Sequence, residues 1–260
     1  MRDANSRRER ASTTEAPDRE GETMQRVLIT GASRGLGLAF AKLYAERGDR
    51  VFAGCRNPET ATKAIELQQA HPERVTLIRM DVGYEDSIVS SYYETREHTD
   101  ALDILINNAG IGGSDSRTGK SARLGNFHFE DAWKSLAVMA VGPLVTSQTY
   151  IDMLRRGENA KIGNISSGYG SISHNNGFPY YYSAAKAALH QYMRSLAAEM
   201  KPLGIATVLF DPGSFSSDMG GPNAPLKPEQ PAAGIIEQFD KLTLEQSGSF
   251  INWQGKQCPW

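Results

Sequence analysis

Cysteine is almost missing: the 260 residues contain two, Cys55 and Cys258. Two cysteines build no disulfide framework, so a reducing cytoplasm is the expected setting. A charge excess is missing as well, since 28 basic against 30 acidic side chains leave a formal charge of -2. That balance excludes the basic surface of a nucleic-acid binder. No apolar run approaches the roughly 20 residues of a membrane span, so no membrane partner is expected. The five histidines, at 71, 98, 128, 174 and 190, show no metal-ligand spacing, and neither cysteine has a CxxC partner; no metal is expected. Residues 1–24 lack apolar side chains almost entirely and mix arginine with acids. Such a stretch cannot bury enough surface to fold and reads as a disordered N-terminal extension, with neither the apolar core of a signal peptide nor the acid-poor pattern of a transit sequence.

From residue 25 to residue 260 short apolar runs alternate with amphipathic segments. Strands are predicted at Arg26–Thr30, Arg50–Cys55, Val75–Met80, Leu102–Ile106, Lys161–Ile165, Ile205–Phe210 and Ser249–Ile251. Helical patterns lie near 35–47, 58–70, 85–98, 129–155, 182–201 and 228–243. Continuous runs such as VLIT, LDILI and ATVLF suit strands buried on both faces. Strict alternation implies parallel strands joined by right-handed crossovers: an α/β, Rossmann-like, doubly wound sheet of about seven strands in a single domain. Ligands of such sheets bind beyond the carboxyl ends of the strands.

The first strand runs into Thr30-Gly31-Ala32-Ser33-Arg34-Gly35-Leu36-Gly37, which opens the first helix. Glycines there permit a tight turn and close ligand approach, and the helix N-terminus offers free N–H groups to a pyrophosphate. Gly31-Ala-Ser33-Arg-Gly35 also fits the nucleophile elbow of hydrolases, and Ser183-Ala-Ala-Lys186 a serine–lysine motif. The first follows the wrong strand and lacks a late histidine, and the second lacks its partner motifs.

The glycine turn, Asn107-Asn108-Ala109-Gly110, Tyr182-Ser183-Ala184-Ala185-Lys186 and Asp211-Pro212-Gly213 occur in one order. In these the chain resembles the short-chain dehydrogenase/reductase (SDR) family over essentially residues 25–260. Asn164-Ile165-Ser166-Ser167-Gly168, Asp218-Met219-Gly220-Gly221-Pro222 and the closing Pro259-Trp260 narrow the resemblance to the C-factor/sniffer-like carbonyl reductase branch. The resemblance implies a dinucleotide held by Gly31, Ser33, Arg34, Gly35, Leu36 and Gly37. It implies Asp81 and Val82 at the adenine, and Asn107, Asn108, Ala109 and Gly110 near the ribose. Pro212 and Gly213 fall at the nicotinamide face, and Ser217 near the carboxamide. The second strand ends Gly54-Cys55-Arg56-Asn57 without an acid. Arg56, with Arg34, therefore suits a 2′-phosphate, and NADP(H) is the expected cofactor.

Tyr182 and Lys186 stand four apart in a helical pattern and share a face. The resemblance makes Tyr182 the acid–base group, Lys186 its tuner and ribose anchor, and Ser167 the hydrogen-bond donor to the substrate oxygen. Bringing a tyrosine from pKa about 10 toward 7 takes about 4 kcal/mol, and a sheltered ammonium about 5 Å away supplies ~3 of it. Tyr180 and Tyr181 compete for the role but lack a lysine four residues on. Met139 stands where the family has a fourth catalytic residue, an asparagine three positions before Gly142-Pro143. Methionine cannot hydrogen-bond alike, so only a backbone role survives there, and Pro143 is expected to kink the helix and free a carbonyl. Phe215 and Met219 are read as pocket wall or core, and Asp115–Gly125 as a surface loop. The expected activity is NADP(H)-dependent reduction of a ketone or aldehyde, or oxidation of the alcohol, by a homodimer or homotetramer. The alternative is a dinucleotide-binding signalling protein of C-factor type.

Overall fold

The computed structural model describes residues 23–112, 122–174, 177, 179–219, 221 and 223–260. Residues 1–22 of the expected extension, the 115–121 part of the expected surface loop, and Asn175, Asn176 and Phe178 lie outside the described residues.

The apolar runs become strands β1 (Arg26–Thr30), β2 (Arg50–Cys55), β3 (Val75–Arg79), β4 (Ile104–Asn107), β5 (Lys161–Ile165), β6 (Ala206–Asp211) and β7 (Phe250–Asn252). Every predicted strand is present, with ends displaced by at most two residues. All pairings are parallel, in the order β3-β2-β1-β4-β5-β6-β7. Val27 of β1 pairs with Val51 of β2 on one side and Ile104 of β4 on the other. The strand order therefore reverses between β1 and β4, and a crevice opens at their carboxyl ends.

Helices cover both faces. Alternation sends Val27, Ile29, Ile106, Val208 and Phe210 to one side, against α1 (Gly35–Arg47) and α8 (Glu229–Lys241). Gly163 of β5 must lack a side chain, because the Phe239 ring of α8 occupies that space. Leu28, Leu105, Ile162 and Leu209 face the other way, onto Tyr150, Met153, Leu189 and Met193. On this side lie α3 (Glu85–Arg96), α5 (Gly142–Thr149), α6 (Ile151–Arg155) and α7 (Tyr180–Met200). The segment 58–70 divides into a 3₁₀ turn, Pro58–Thr60, and α2 (Thr62–Ala70).

The single helix expected over 129–155 is corrected to four pieces. They are α4 (Phe129–Leu136), a π turn over Ala137–Val141, and then α5 and α6. The break has a local cause. Gly142 donates its N–H back to Ala137, five residues away, and Pro143 has no N–H to offer Met139. The main-chain carbonyl of Met139 thus loses its ordinary helical donor.

Candidate active site

The crevice at the β1/β4 reversal is tied shut at its base by one side chain. Thr30 Oγ1 accepts the N–H groups of Asn108 and Ala109, each at 3.0 Å. Asn108 returns the tie by donating its amide to the carbonyls of Thr30 at 2.9 Å and Gly31 at 3.2 Å. Asn108 thus fastens the glycine turn to β4. Asn107, expected near the ribose, turns its side chain inward. It is buried and donates to Asn164 at 2.9 Å and Ser147 at 3.2 Å, joining β4, β5 and α5.

The glycine turn needs its glycines for two different reasons. Gly31 has φ +69°, and a Cβ there would also lie 2.9 Å from the Ala109 Cα. Gly37 has no room at all, since a Cβ would overlap the Gly31 carbonyl and lie 2.5 Å from Asn108 Nδ2. Arg34 sits at the N-cap of α1 in extended conformation, with no side-chain cap on the helix and no acid in its first turn. The first N–H groups of α1 are left for an anion. This uncapped terminus beside a backbone stripped of Cβ atoms fits the pyrophosphate of a dinucleotide. Leu36 is buried beneath the turn, while Ser33 and Gly35 stand partly exposed at its rim.

The two arginines are not equivalent. Arg34 is engaged, its Nη1 lying 2.7 Å from Asp218 Oδ2 on the segment after β6. Arg56 is exposed past the end of β2 and has no acidic partner among the described residues. Asp81 follows β3 and accepts the Gly83 N–H at 3.0 Å, with Val82 buried beside it. Pro212 is buried and Gly213 exposed at the end of β6, with Ser217 partly exposed beyond them. Phe215 is partly buried and packs on the α1/α8 core. Met219 is exposed, and a Cβ on Gly110 would lie 4.0 Å from its Cε and 3.9 Å from Met139 Sδ.

Helix α7 brings the expected site residues Tyr182 and Lys186 together. Tyr181 donates to the His128 carbonyl and accepts the His128 N–H, and Tyr180 packs edge-on against Phe127. Only Tyr182 remains turned toward Ser167, whose hydroxyl also accepts the Tyr169 N–H at 3.2 Å. Lys186 Nζ lies 5.7 Å from the Tyr182 ring centre and donates to the Ile165 carbonyl at 2.7 Å. Burial pushes Tyr182 up to about 12; hydrogen bonding with Ser167 opposes this, and the charge of Asp211 adds to it. Burial holds Lys186 down at about 8. The expected drop of the tyrosine toward neutrality is therefore not found here. Desolvation is the largest influence on both groups.

One buried pair went unnoticed in the sequence. Ser166 Oγ lies 2.6 Å from His190 Nε2, and burial, helped by the Lys186 charge, pushes His190 down to about 4. Its neutral ring packs against Phe250 and Trp260. The i, i+4 spacing of Lys186 and His190 on α7 was the available signal. Among the described residues no group of His, Cys, Asp or Glu can hold a metal, and no helix is long and apolar enough to cross a membrane.

Comparison with known proteins agrees with this geometry. The sequence model described as short chain dehydrogenase matches residues 25–226. C-signal of Myxococcus xanthus is 34% identical over 169 residues, 65% of this chain and 98% of that protein. The structure of an NADPH-bound carbonyl reductase from chicken fatty liver superimposes with TM-score 0.83 at 29% identity, covering 91% of this chain and 99% of that one. The carbonyl reductase Sniffer of D. melanogaster gives TM-score 0.83 at 29% identity, over 92% of this chain and 100% of the other.

Proposed function

The chain belongs to the short chain dehydrogenase family, in the branch of C-signal and Sniffer, and on that premise we propose that it is an NADP(H)-dependent reductase of a ketone or aldehyde. The observation that carries the reading is Tyr182 set between Ser167 and Lys186, in a fold that also leaves the start of α1 uncapped. NADPH, when bound, supplies the hydride that takes the carbonyl and one proton to the alcohol. Tyr182 is a neutral phenol at physiological pH, the state that a proton donor needs. It gives its proton to the carbonyl oxygen while Ser167 donates a hydrogen bond to the same atom. Lys186, poised at about 8, returns a proton to the phenolate. The Met139 carbonyl, to which Pro143 offers no N–H, is the group proposed to hold a water on the path to the lysine. Gly31, Gly37 and the α1 terminus would hold the pyrophosphate, Asp81 the adenine, and Arg56 the 2′-phosphate.

Exposed Phe129 and Trp133, stacked at 6.2 Å on α4, and Tyr180 and Tyr192 on α7 support a homo-oligomer built on these helices. Free Cys55 and Cys258 fit a cytoplasmic setting. The kinship with C-signal supports a second reading, a dinucleotide-binding signalling protein with little catalysis.

Titration of the protein with NADPH and with NADH, followed by cofactor fluorescence, tests the first reading. NADPH is expected to bind at least about tenfold more tightly. A Tyr182→Phe variant should then keep NADPH binding and lose carbonyl reduction. Retained biological effect without turnover favours the signalling reading. Failure to bind either cofactor overturns both.

A further inference from the structure

Asp211 has no part in the chemistry above, yet its carboxylate stands at the site. It ends β6, and the alternation that sets Leu209 against Leu189 and Met193 puts Asp211 on the same α7 side of the sheet. Its Oδ1 accepts the Gly213 N–H at 3.0 Å. Its Oδ2 lies over Gly168, where a Cβ would meet it at 3.4 Å, and Gly168 directly follows Ser167. The residue is partly exposed and has no basic partner among the described residues. Its charge acts on Tyr182 of α7 and on Cys258 after β7; Tyr169, which acts on Tyr182, and Lys186 and His190 further along α7 are the other titratable side chains of this part of the site. Of these only Lys186 is cationic at neutral pH, and its ammonium is turned to the Ile165 carbonyl.

Reduction of a neutral ketone builds negative charge on the oxygen held by Ser167 and Tyr182. A carboxylate nearby opposes that charge. A substrate that carries its own cation beside the carbonyl removes the conflict, because the cation pairs with Asp211 while the oxygen meets the phenol. We propose that the site takes carbonyl compounds bearing a protonated amine next to the carbonyl, and that Asp211 selects them. For its chemistry the inference rests on the reductase reading: the carbonyl carbon receives hydride from NADPH, the oxygen receives the Tyr182 proton, and NADP⁺ leaves with the amino alcohol. For binding it stands alone.

A matched pair of ketones provides the test, 2-amino-1-phenylethanone and its neutral isostere 1-phenyl-1-propanone. With NADPH at pH 6, kcat/KM is expected to favour the amine by roughly ten- to a hundredfold, the size of one charge pair a few ångströms apart in a half-buried site. Asp211→Asn keeps the oxygen that accepts the Gly213 N–H, so the fold should survive. It should bring the two ketones within about threefold of each other, chiefly by loss on the amine. Calorimetric binding of 2-amino-1-phenylethanol should weaken in the same variant. Equal rates on both ketones in the wild type, or a preference that survives Asp211→Asn, overturns the inference while leaving the reductase reading intact. If neither ketone is reduced, that reading is in question, and calorimetry decides the inference separately. Equal affinity of wild type and variant for the amino alcohol overturns it, and weaker binding by the variant supports it.

Discussion

Arg34 Nη1 lies 2.7 Å from Asp218 Oδ2, so the glycine turn is held to the segment after β6 by an exposed ion pair. Exposed pairs of this kind contribute about 0–1 kcal/mol, and a cofactor phosphate can displace the carboxylate. Displacement still weakens what Arg34 has to offer, whereas Arg56 has no such competitor among the described residues. Arg56→Ala is therefore expected to lower NADPH affinity by about tenfold or more, and Arg34→Ala by less. NADH affinity should hardly change in either, as measured by fluorescence titration. An equal loss for both cofactors would remove Arg56 from the 2′-phosphate.

Two glycines of the same turn should respond very differently to one methyl group. Gly37→Ala drives a Cβ into the Gly31 carbonyl and Asn108, both fixed backbone or tied side chain. It should abolish dinucleotide binding and lower Tm. Gly35 has φ +55° and nothing within 4 Å of a Cβ. Gly35→Ala should cost about 1 kcal/mol of backbone strain and leave binding within a few-fold. The pair is read by thermal melts and titration side by side.

Lys186 is expected to hurt stability where it serves chemistry. Its folded pKa of about 8 lies below the usual lysine value of 10.5. Between those values the unfolded chain binds more protons, so wild-type stability rises with pH there. Below about pH 8 the buried ammonium carries its full cost. Lys186→Met should raise Tm by a few degrees at pH 7. The gain should shrink between pH 8 and 10.5, and carbonyl reduction should be lost throughout. A Tm advantage that is flat across this range would show that the ammonium is not the cause.

The position filled by Met139 should matter through its main chain. Met139 is fully buried, and Pro143 has no N–H to offer its carbonyl. Met139→Leu should keep turnover within about threefold. Pro143→Ala supplies the missing N–H and should relax the π turn, lowering kcat by about tenfold or more. Steady-state kinetics with a carbonyl substrate, and NADPH affinity as a control, separate the two outcomes.

Alternation of apolar runs with amphipathic stretches determined the seven-stranded parallel sheet, because burial on both faces and crossover handedness leave few arrangements. The glycine turn was legible for the same kind of reason: its demands are local, in φ values and missing Cβ atoms. Tertiary structure decided what depends on distant neighbours. It tied Tyr181 to the His128 backbone and left Tyr182 toward Ser167. It turned Asn107 inward to Asn164 and left Asn108 to bind the turn. It divided two similar arginines into one paired with Asp218 and one without an acidic partner among the described residues. It also set Tyr182 near 12 and Lys186 near 8, because desolvation depends on everything packed around a group and not on its spacing along the chain.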